Sequence, residues 1–353
     1  MHNLKALIVL LLFHFVNITL GQVKTEIFDF VHEGNKLNGV LDLPAEQDPT
    51  ALIIIIQGYG KSNIVAGNGY LELRSFFVDN GLAVYTWDKP GCGKSEGKFD
   101  INQPVQNSAK EALAAIKELK LKKVPGSDKI GLWGISRAGW ICPLIINENQ
   151  SINFWISVSG VDDKENFPYL LETNLRIEGR SEEQIALLLS EYNIGFKIFR
   201  SGGSFEDYQK SRINLEKDPF WKWMIGDNFD TKESYQEKQE QYKNENHIFD
   251  EATELEVYLP NFKKILNKIE CPVLAIFGEK DGNVDWLKTR GLYKETIGSN
   301  SKAKLSIKSF PNCNHNIIKC ETGGYREKIQ KWTHCDGYFD TMALWLNENG
   351  FGK

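Results

Sequence analysis

The chain has 353 residues, of which 41% are hydrophobic and 25% charged, a globular balance with length enough for one large domain or two small ones. Its net charge of −5 and pI near 5.8 come with no basic stripe and no arginine-rich run, which excludes a nucleic-acid surface.

The first segment, "MHNLKALIVLLLFHFVNITLGQ", has one lysine, an apolar run and small residues ending at Gly21, with no Asp or Glu before Glu26. This is the pattern of a signal peptide over residues 1–21. The run from Ala6 to Val16 is shorter than the roughly 20 residues a spanning helix needs, so no stable membrane anchor is expected. No cysteine follows it, which argues against a lipid anchor. Export, to a periplasm or to the medium, is the expectation.

"TEIFDFVHEGNKLNGVLDLP" alternates apolar and polar residues about Gly34-Asn35, a hairpin signal. "ALIIIIQGYG" is a strand buried on both faces that ends in glycines, and "GYLELRSFFVDNG" is a helix stopped at Gly81. "LAVYTWDKPGCGKS" is a second buried strand with a glycine loop, and "PVQNSAKEALAAIKELKLK" an amphipathic helix. Strand "KIGLWG", helix "RAGWICPLIINE" and strand "INFWISVSG" continue the alternation, which predicts an α/β fold with a mostly parallel central sheet flanked by helices. From residue 161 to 262 the pattern becomes helical, with charged and aromatic residues mixed. Strands resume with "CPVLAIFGEKD" and "AKLSIKSFPNCNH". A helical cap over 161–262 is therefore predicted to interrupt a core made of 22–160 and 263–353. It carries too much apolar surface to be a linker.

Six cysteines are too few to be the scaffold of a chain this long. Cys142 and Cys271 lie in apolar segments and read as buried thiols. Cys313, Cys320 and Cys335 lie late and in polar surroundings. A bridge is expected among them, with Cys320–Cys335 favoured because Cys313 sits two residues before His315. His315 and His334 lie among these cysteines, but the spacing matches no common zinc pattern. "GCGKS" at 91–95 lacks the first glycine of a phosphate loop, since position 88 is Asp.

The chemistry converges on Ser136. It stands between a buried strand and a helix, with Gly134 two residues before it and Ala138 two after. Such a turn forces the serine backbone into a strained conformation that only small neighbours allow. A serine needs a base, and the base needs an orienting carboxylate. His315 follows the last strand in "SFPNCNHNII". Asp281 ends "VLAIFGEKD" at the carboxyl end of a strand, and Asp285 is the fallback.

With "GISRAG", "FGEKD", "NCNHN" and "WDKPGCGKSEG" in this order, the sequence resembles an α/β-hydrolase of the serine esterase and prolyl-oligopeptidase-like branch, over nearly the whole mature chain. The resemblance implies a Ser136–Asp281–His315 triad and a lid at the insertion. It also implies an oxyanion hole made by the backbone N–H groups of Arg137 and of Tyr59 in "QGYGKSNIVAGNG", with Gly58 as the alternative to Tyr59. The expected activity is cleavage of a small-molecule carboxylic ester through an acyl-enzyme, with no cofactor or metal required. A peptidase or thioesterase uses the same machinery, and a non-catalytic binding protein would be expected to have lost a triad member. In the insertion, Phe220, Trp221, Trp223 and Met224 cannot all enter one small helical core. Trp221 and Trp223 are therefore expected to roof the pocket and favour bulky, largely apolar esters, macrolactones among them, over acetyl esters.

Overall fold

The computed structural model describes residues 23–101, 103–162, 167–225, 231–244 and 259–353. The expected signal peptide over 1–21 lies outside the described residues. The strands are β1 (Val23–Ile27), β2 (Phe30–His32), β3 (Asn35–Leu37), β4 (Gly39–Pro44), β5 (Leu52–Ile56), β6 (Ala83–Trp87), β7 (Ile130–Ile135), β8 (Ile152–Val158), β9 (Val273–Gly278) and β10 (Leu305–Phe310). The helices that cover the sheet are α1 (Leu71–Asp79), α2 (Val105–Leu121) and α3 (Ala138–Glu148). Between β8 and β9 follow α4 (Phe167–Ile177), α5 (Glu182–Arg200), α6 (Phe205–Lys210), α7 (Pro219–Ile225), α8 (Lys232–Asn244) and α9 (Phe262–Leu266). The chain closes with α10 (Trp286–Glu295) and α11 (Tyr338–Glu348).

Eight strands form one sheet in the order β1-β4-β6-β5-β7-β8-β9-β10. β1 and β4 are antiparallel at one edge, and all pairings from β6 to β10 are parallel. The period of two along a strand explains why β5, β7 and β9 carry no polar side chain. In β5, Leu52, Ile54 and Ile56 enter a core shared with α2, α3, α9 and α10, while Ile53 and Ile55 enter another shared with α1 and α11. Both faces are covered, so both registers must be apolar.

The early hairpin forms as β2 against β3, with its turn at Glu33-Gly34, one residue before the expected point. Both turn residues have positive φ, 48° and 80°, the primed geometry that suits a two-residue hairpin.

The helices α4 to α8 between β8 and β9 have cores of their own. One gathers Leu171, Leu175, Ile185, Leu188, Leu215, Phe220 and Trp221, and another Phe199, Tyr208 and Tyr235. Leu259 and Phe262 already pack in the sheet's core, which places the return to the sheet a few residues before 263.

The disulfide differs from expectation. Cys313 pairs with Cys335, across a Cα–Cα distance of 6.3 Å, and Cys320 is a free thiol. The segment after β10 doubles back on itself, with Cys313 bridged to Lys319 and Ile318 to His334. The Cys335 N–H donates to the Ile317 carbonyl at 3.0 Å, which carries Cys335 past Cys320 to Cys313. The link anchors the loop bearing His315 where the sequence reading expected it to strain that loop.

Candidate active site

The order β6-β5-β7 means that the chain leaves β5 to one side and returns to its other side. Such a reversal opens a crevice at the carboxyl ends of the strands. The loops after β5 and β7 meet there. A Cβ added to Gly58 would lie 3.3 Å from the Ser136 Cβ and 3.2 Å from the Ile135 carbonyl oxygen, so a side chain there would push these loops apart by a few tenths of an ångström.

Ser136 follows β7 directly and has φ 57°, a left-handed conformation that costs a non-glycine residue of the order of 1–3 kcal/mol. The turn leaves no room for bulk around it. A Cβ at Gly134 would lie 2.7 Å from Cys142 Sγ and 2.9 Å from the Ala138 Cβ, and one at Gly139 would lie 2.8 Å from the Val161 nitrogen. The Ser136 N–H donates to the Val158 carbonyl at 3.0 Å, and the Gly139 N–H donates to the Ser136 carbonyl at 2.7 Å. Arg137 is the N-cap of α3, so its N–H lies at the positive end of that helix.

The carboxyl end of β8 links this turn to His315. Val158 receives the Ser136 N–H, and the next residue, Ser159, donates its hydroxyl to the His315 carbonyl at 2.7 Å. His315 Nδ1 in turn lies 2.8 Å from Asp281 Oδ2. A carboxylate can only accept, so Nδ1 carries the proton of that bond. The other oxygen, Oδ1, accepts the N–H groups of Asn283 at 2.8 Å and Val284 at 2.9 Å. The Asp281 side chain is wholly buried, and these three bonds compensate its lost hydration. Asp285, the fallback, is engaged elsewhere: it caps α10 by accepting the Lys288 N–H at 3.1 Å and pairs with the Lys288 ammonium at 3.3 Å.

The loop after β5 is held from β6. Gln57 Nε2 donates to the Trp87 carbonyl at 2.5 Å. Lys89 Nζ donates to the carbonyls of Gly58 at 2.6 Å and Gly60 at 2.8 Å. Burial, followed by the nearby Arg137 charge, pushes the Lys89 ammonium down to about 8. The Tyr59 ring is exposed and packs under the Arg137 guanidinium, 5.3 Å from ring centroid to carbon. Arg137 itself reaches the Ser108 hydroxyl at 3.1 Å and the Gln103 carbonyl.

The two tryptophans part company. Trp221 is 3% exposed, among Phe167, Tyr192 and the Arg212 guanidinium, so it packs the insertion's own core and does not face solvent as a roof would. Trp223 is 50% exposed and lies 5.8 Å from the Tyr325 ring. The insertion meets the acid loop through α4. Tyr169 donates its hydroxyl to the Asp281 carbonyl at 3.0 Å, and Asn174 Nδ2 donates to the Gly282 carbonyl at 2.9 Å. Burial holds the Tyr169 hydroxyl neutral, pushed up to about 12. Ser159, Lys89 and Tyr169 escaped the sequence reading. The small "SVSG" end of β8 was a usable signal for Ser159, whereas nothing local marks the other two.

The family model described as serine aminopeptidase, S33, matches residues 47–322. Among solved structures, an esterase of Pyrococcus furiosus is similar at 17% identity and a TM-score of 0.54, over 92% of this chain and 91% of that one. The 2,6-dihydroxy-pseudo-oxynicotine hydrolase is similar at 16% identity and a TM-score of 0.53, over 92% of this chain and 67% of that one. Est1E of Butyrivibrio proteoclasticus is similar at 15% identity and a TM-score of 0.50, over 92% and 98%. At such identities the likeness is one of fold. No curated protein is similar enough to count as a match.

Proposed function

The chain belongs to the serine aminopeptidase, S33, family of α/β-hydrolases, and from that premise we propose that it hydrolyses carboxylic esters through an acyl-enzyme formed on Ser136. The observation that carries this reading is the junction at the end of β8. Its two consecutive residues bind the Ser136 turn on one side and the Asp281-bound His315 on the other.

In the proposed reaction the Ser136 hydroxyl attacks the ester carbonyl. Asp281 occupies His315 Nδ1, which leaves Nε2 to take the serine proton as the C–O bond forms. The N–H groups of Tyr59 and Arg137 receive the oxyanion, a contribution of about 2.7–4 kcal/mol of barrier for each donor. His315 then returns the proton to the departing alcohol. Water, activated by the same imidazole, releases the acid and regenerates Ser136.

The helices between β8 and β9 act in this reading as a lid. Its support is the pair of bonds from α4 to the acid loop, together with Trp223 as an exposed ring beside Tyr325. Bulky, largely apolar esters, macrolactones included, are the proposed substrates, and export rests on the pattern of residues 1–21. A fluorophosphonate probe is expected to label the wild type and not Ser136→Ala. Equal labelling of both would remove Ser136 from the mechanism. Peptide cleavage is the second reading, favoured by the description of the matching family. A panel of p-nitrophenyl esters of rising acyl length, thioesters and aminoacyl anilides separates the two. Faster turnover of anilides than of esters would replace esterase by peptidase. Trp223→Ala is expected to flatten the preference for long acyl chains, and an unchanged preference would reject the lid's role in selection.

A further inference from the structure

The segment "WDKPGCGKSEG" carries the end of β6 and the loop that follows it. Its second and third residues prove to reach across to the loop after β5. The Asp88 carboxylate accepts the Ile64 N–H at 2.6 Å, and the Lys89 N–H donates to the Ser62 hydroxyl at 2.7 Å. The Lys89 ammonium completes the attachment at the carbonyls of Gly58 and Gly60, on either side of Tyr59. A loop written Gly-Tyr-Gly has little stiffness of its own, and Gly60 sits at φ 92°. Something outside the loop has to hold it.

The carbonyl of Gly58 and the N–H of Tyr59 belong to one planar trans peptide, in which they point in opposite directions. Fixing the carbonyl fixes the N–H. We propose that Lys89 is the positioning residue of the oxyanion hole: its ammonium pins the Gly58–Tyr59 peptide so that the Tyr59 N–H faces the developing oxyanion, and polarises that peptide so that the N–H donates more strongly. This inference rests on the Ser136 acyl-enzyme reading. A flipped peptide would turn a carbonyl oxygen toward the incoming negative charge and lose the donor altogether. An ammonium bound to a carbonyl draws density from the amide, which strengthens the bond made by its N–H. The arrangement has a cost in stability. The ammonium is half-buried beside the Arg137 charge, with Glu111 as a favourable partner, and burial makes it hold its proton less firmly than a lysine in water. A lysine kept there for structure alone would be a poor choice.

The test compares wild type, Lys89→Met, Lys89→Arg and Ser136→Ala in the full chain. The readouts are kcat and KM on p-nitrophenyl butyrate, affinity for a trifluoromethyl ketone, and Tm. The ketone adds to a nucleophilic serine as a tetrahedral oxyanion, so it reports the hole directly. Lys89→Met is expected to lower kcat by about 10²-fold, the loss typical of one oxyanion donor. KM should stay within about twofold, ketone affinity should fall by the same factor as kcat/KM, and Tm should not fall. Lys89→Arg, which keeps charge and donors, is expected to recover part of kcat. Wild-type kcat in Lys89→Met overturns the inference, as does a fall in kcat matched by rises in KM and losses in Tm. If Lys89→Met does not fold, Lys89→Gln takes its place under the same criteria. Turnover by Ser136→Ala would instead overturn the acyl-enzyme reading. An inactive Ser136→Ala beside a normal Lys89→Met would leave that reading standing and remove Lys89 alone.

Discussion

The strand ends that carry Ser136, Asp281 and His315 and the helices between β8 and β9 are held together by different physics. At the strand ends the backbone does most of the work. A left-handed serine, glycines with no room for a side chain, and N–H groups aimed at Asp281 leave each functional group one position. In the helical region side chains do the work. Glu191 is buried and accepts the N–H groups of Asn214 at 2.9 Å and Leu215 at 2.7 Å, and the Asn214 amide at 2.6 Å. Arg180 pairs with Asp218 at 2.7 Å, and Arg212 lies over the rings of Tyr208 and Trp221. Backbone-built sites resist drift, because moving them means moving strands. Side-chain-built bundles can change composition while keeping their shape, which would suit the proposed lid.

The contrast is broken most directly at Ser136. Ser136→Ala is expected to cut kcat by roughly 10⁴-fold or more with Tm unchanged, measured on p-nitrophenyl esters and by thermal melting. Asp281→Asn should come next, with a loss of roughly 10⁴-fold, because the amide no longer holds the histidine tautomer that leaves Nε2 free to accept. Its neighbour gives the control. Asp285→Asn should leave kcat within a few-fold and cost at most about 1 kcal/mol of helix capping. A reversed order of the two would transfer the acid role to Asp285.

Stability changes sharpen the comparison further. Opening the Cys313–Cys335 bridge by Cys313→Ser with Cys335→Ser should cost about 3 kcal/mol for a closed loop of 22 residues, read by urea unfolding. Because the bridge pins the His315 loop, kcat is expected to fall with it. Glu191→Ala should cost about 2–3 kcal/mol through three lost bonds to a buried carboxylate, with the rate of fluorophosphonate labelling at Ser136 unchanged. Labelling that slows in step with the lost stability would show the two regions to be one unit. The smallest effect is expected at their junction. Tyr169→Phe removes one hydrogen bond to the Asp281 carbonyl, about 0.5–1.5 kcal/mol, and should change kcat by less than about tenfold.

Sequence alone determined the central strands, the helices between them and their order. Continuous apolar runs such as "ALIIII", followed by glycines, point to strands covered on both faces, and their alternation with amphipathic helices points to the parallel part of the sheet, from β6 to β10, but not to the antiparallel edge at β1 and β4. Ser136 was legible because a strained turn needs small residues at fixed offsets, and those offsets are local. The choice between Asp281 and Asp285 was not local, since both follow β9 within eight residues. The tertiary structure separates them: Asp281 meets the Asn283 and Val284 N–H groups and the His315 ring, whereas Asp285 caps α10. The disulfide followed the same rule. Cys335 reaches Cys313 because the chain folds back through Ile317 and Ile318, and spacing along the sequence carries no record of that return. Trp221 and Trp223 are two residues apart in an identical composition, yet helix rotation buries one and exposes the other. Lys89 is the clearest case. Its role depends on two carbonyls roughly thirty residues upstream on a neighbouring strand's loop, and only the packing of β5 against β6 brings them within hydrogen-bond reach.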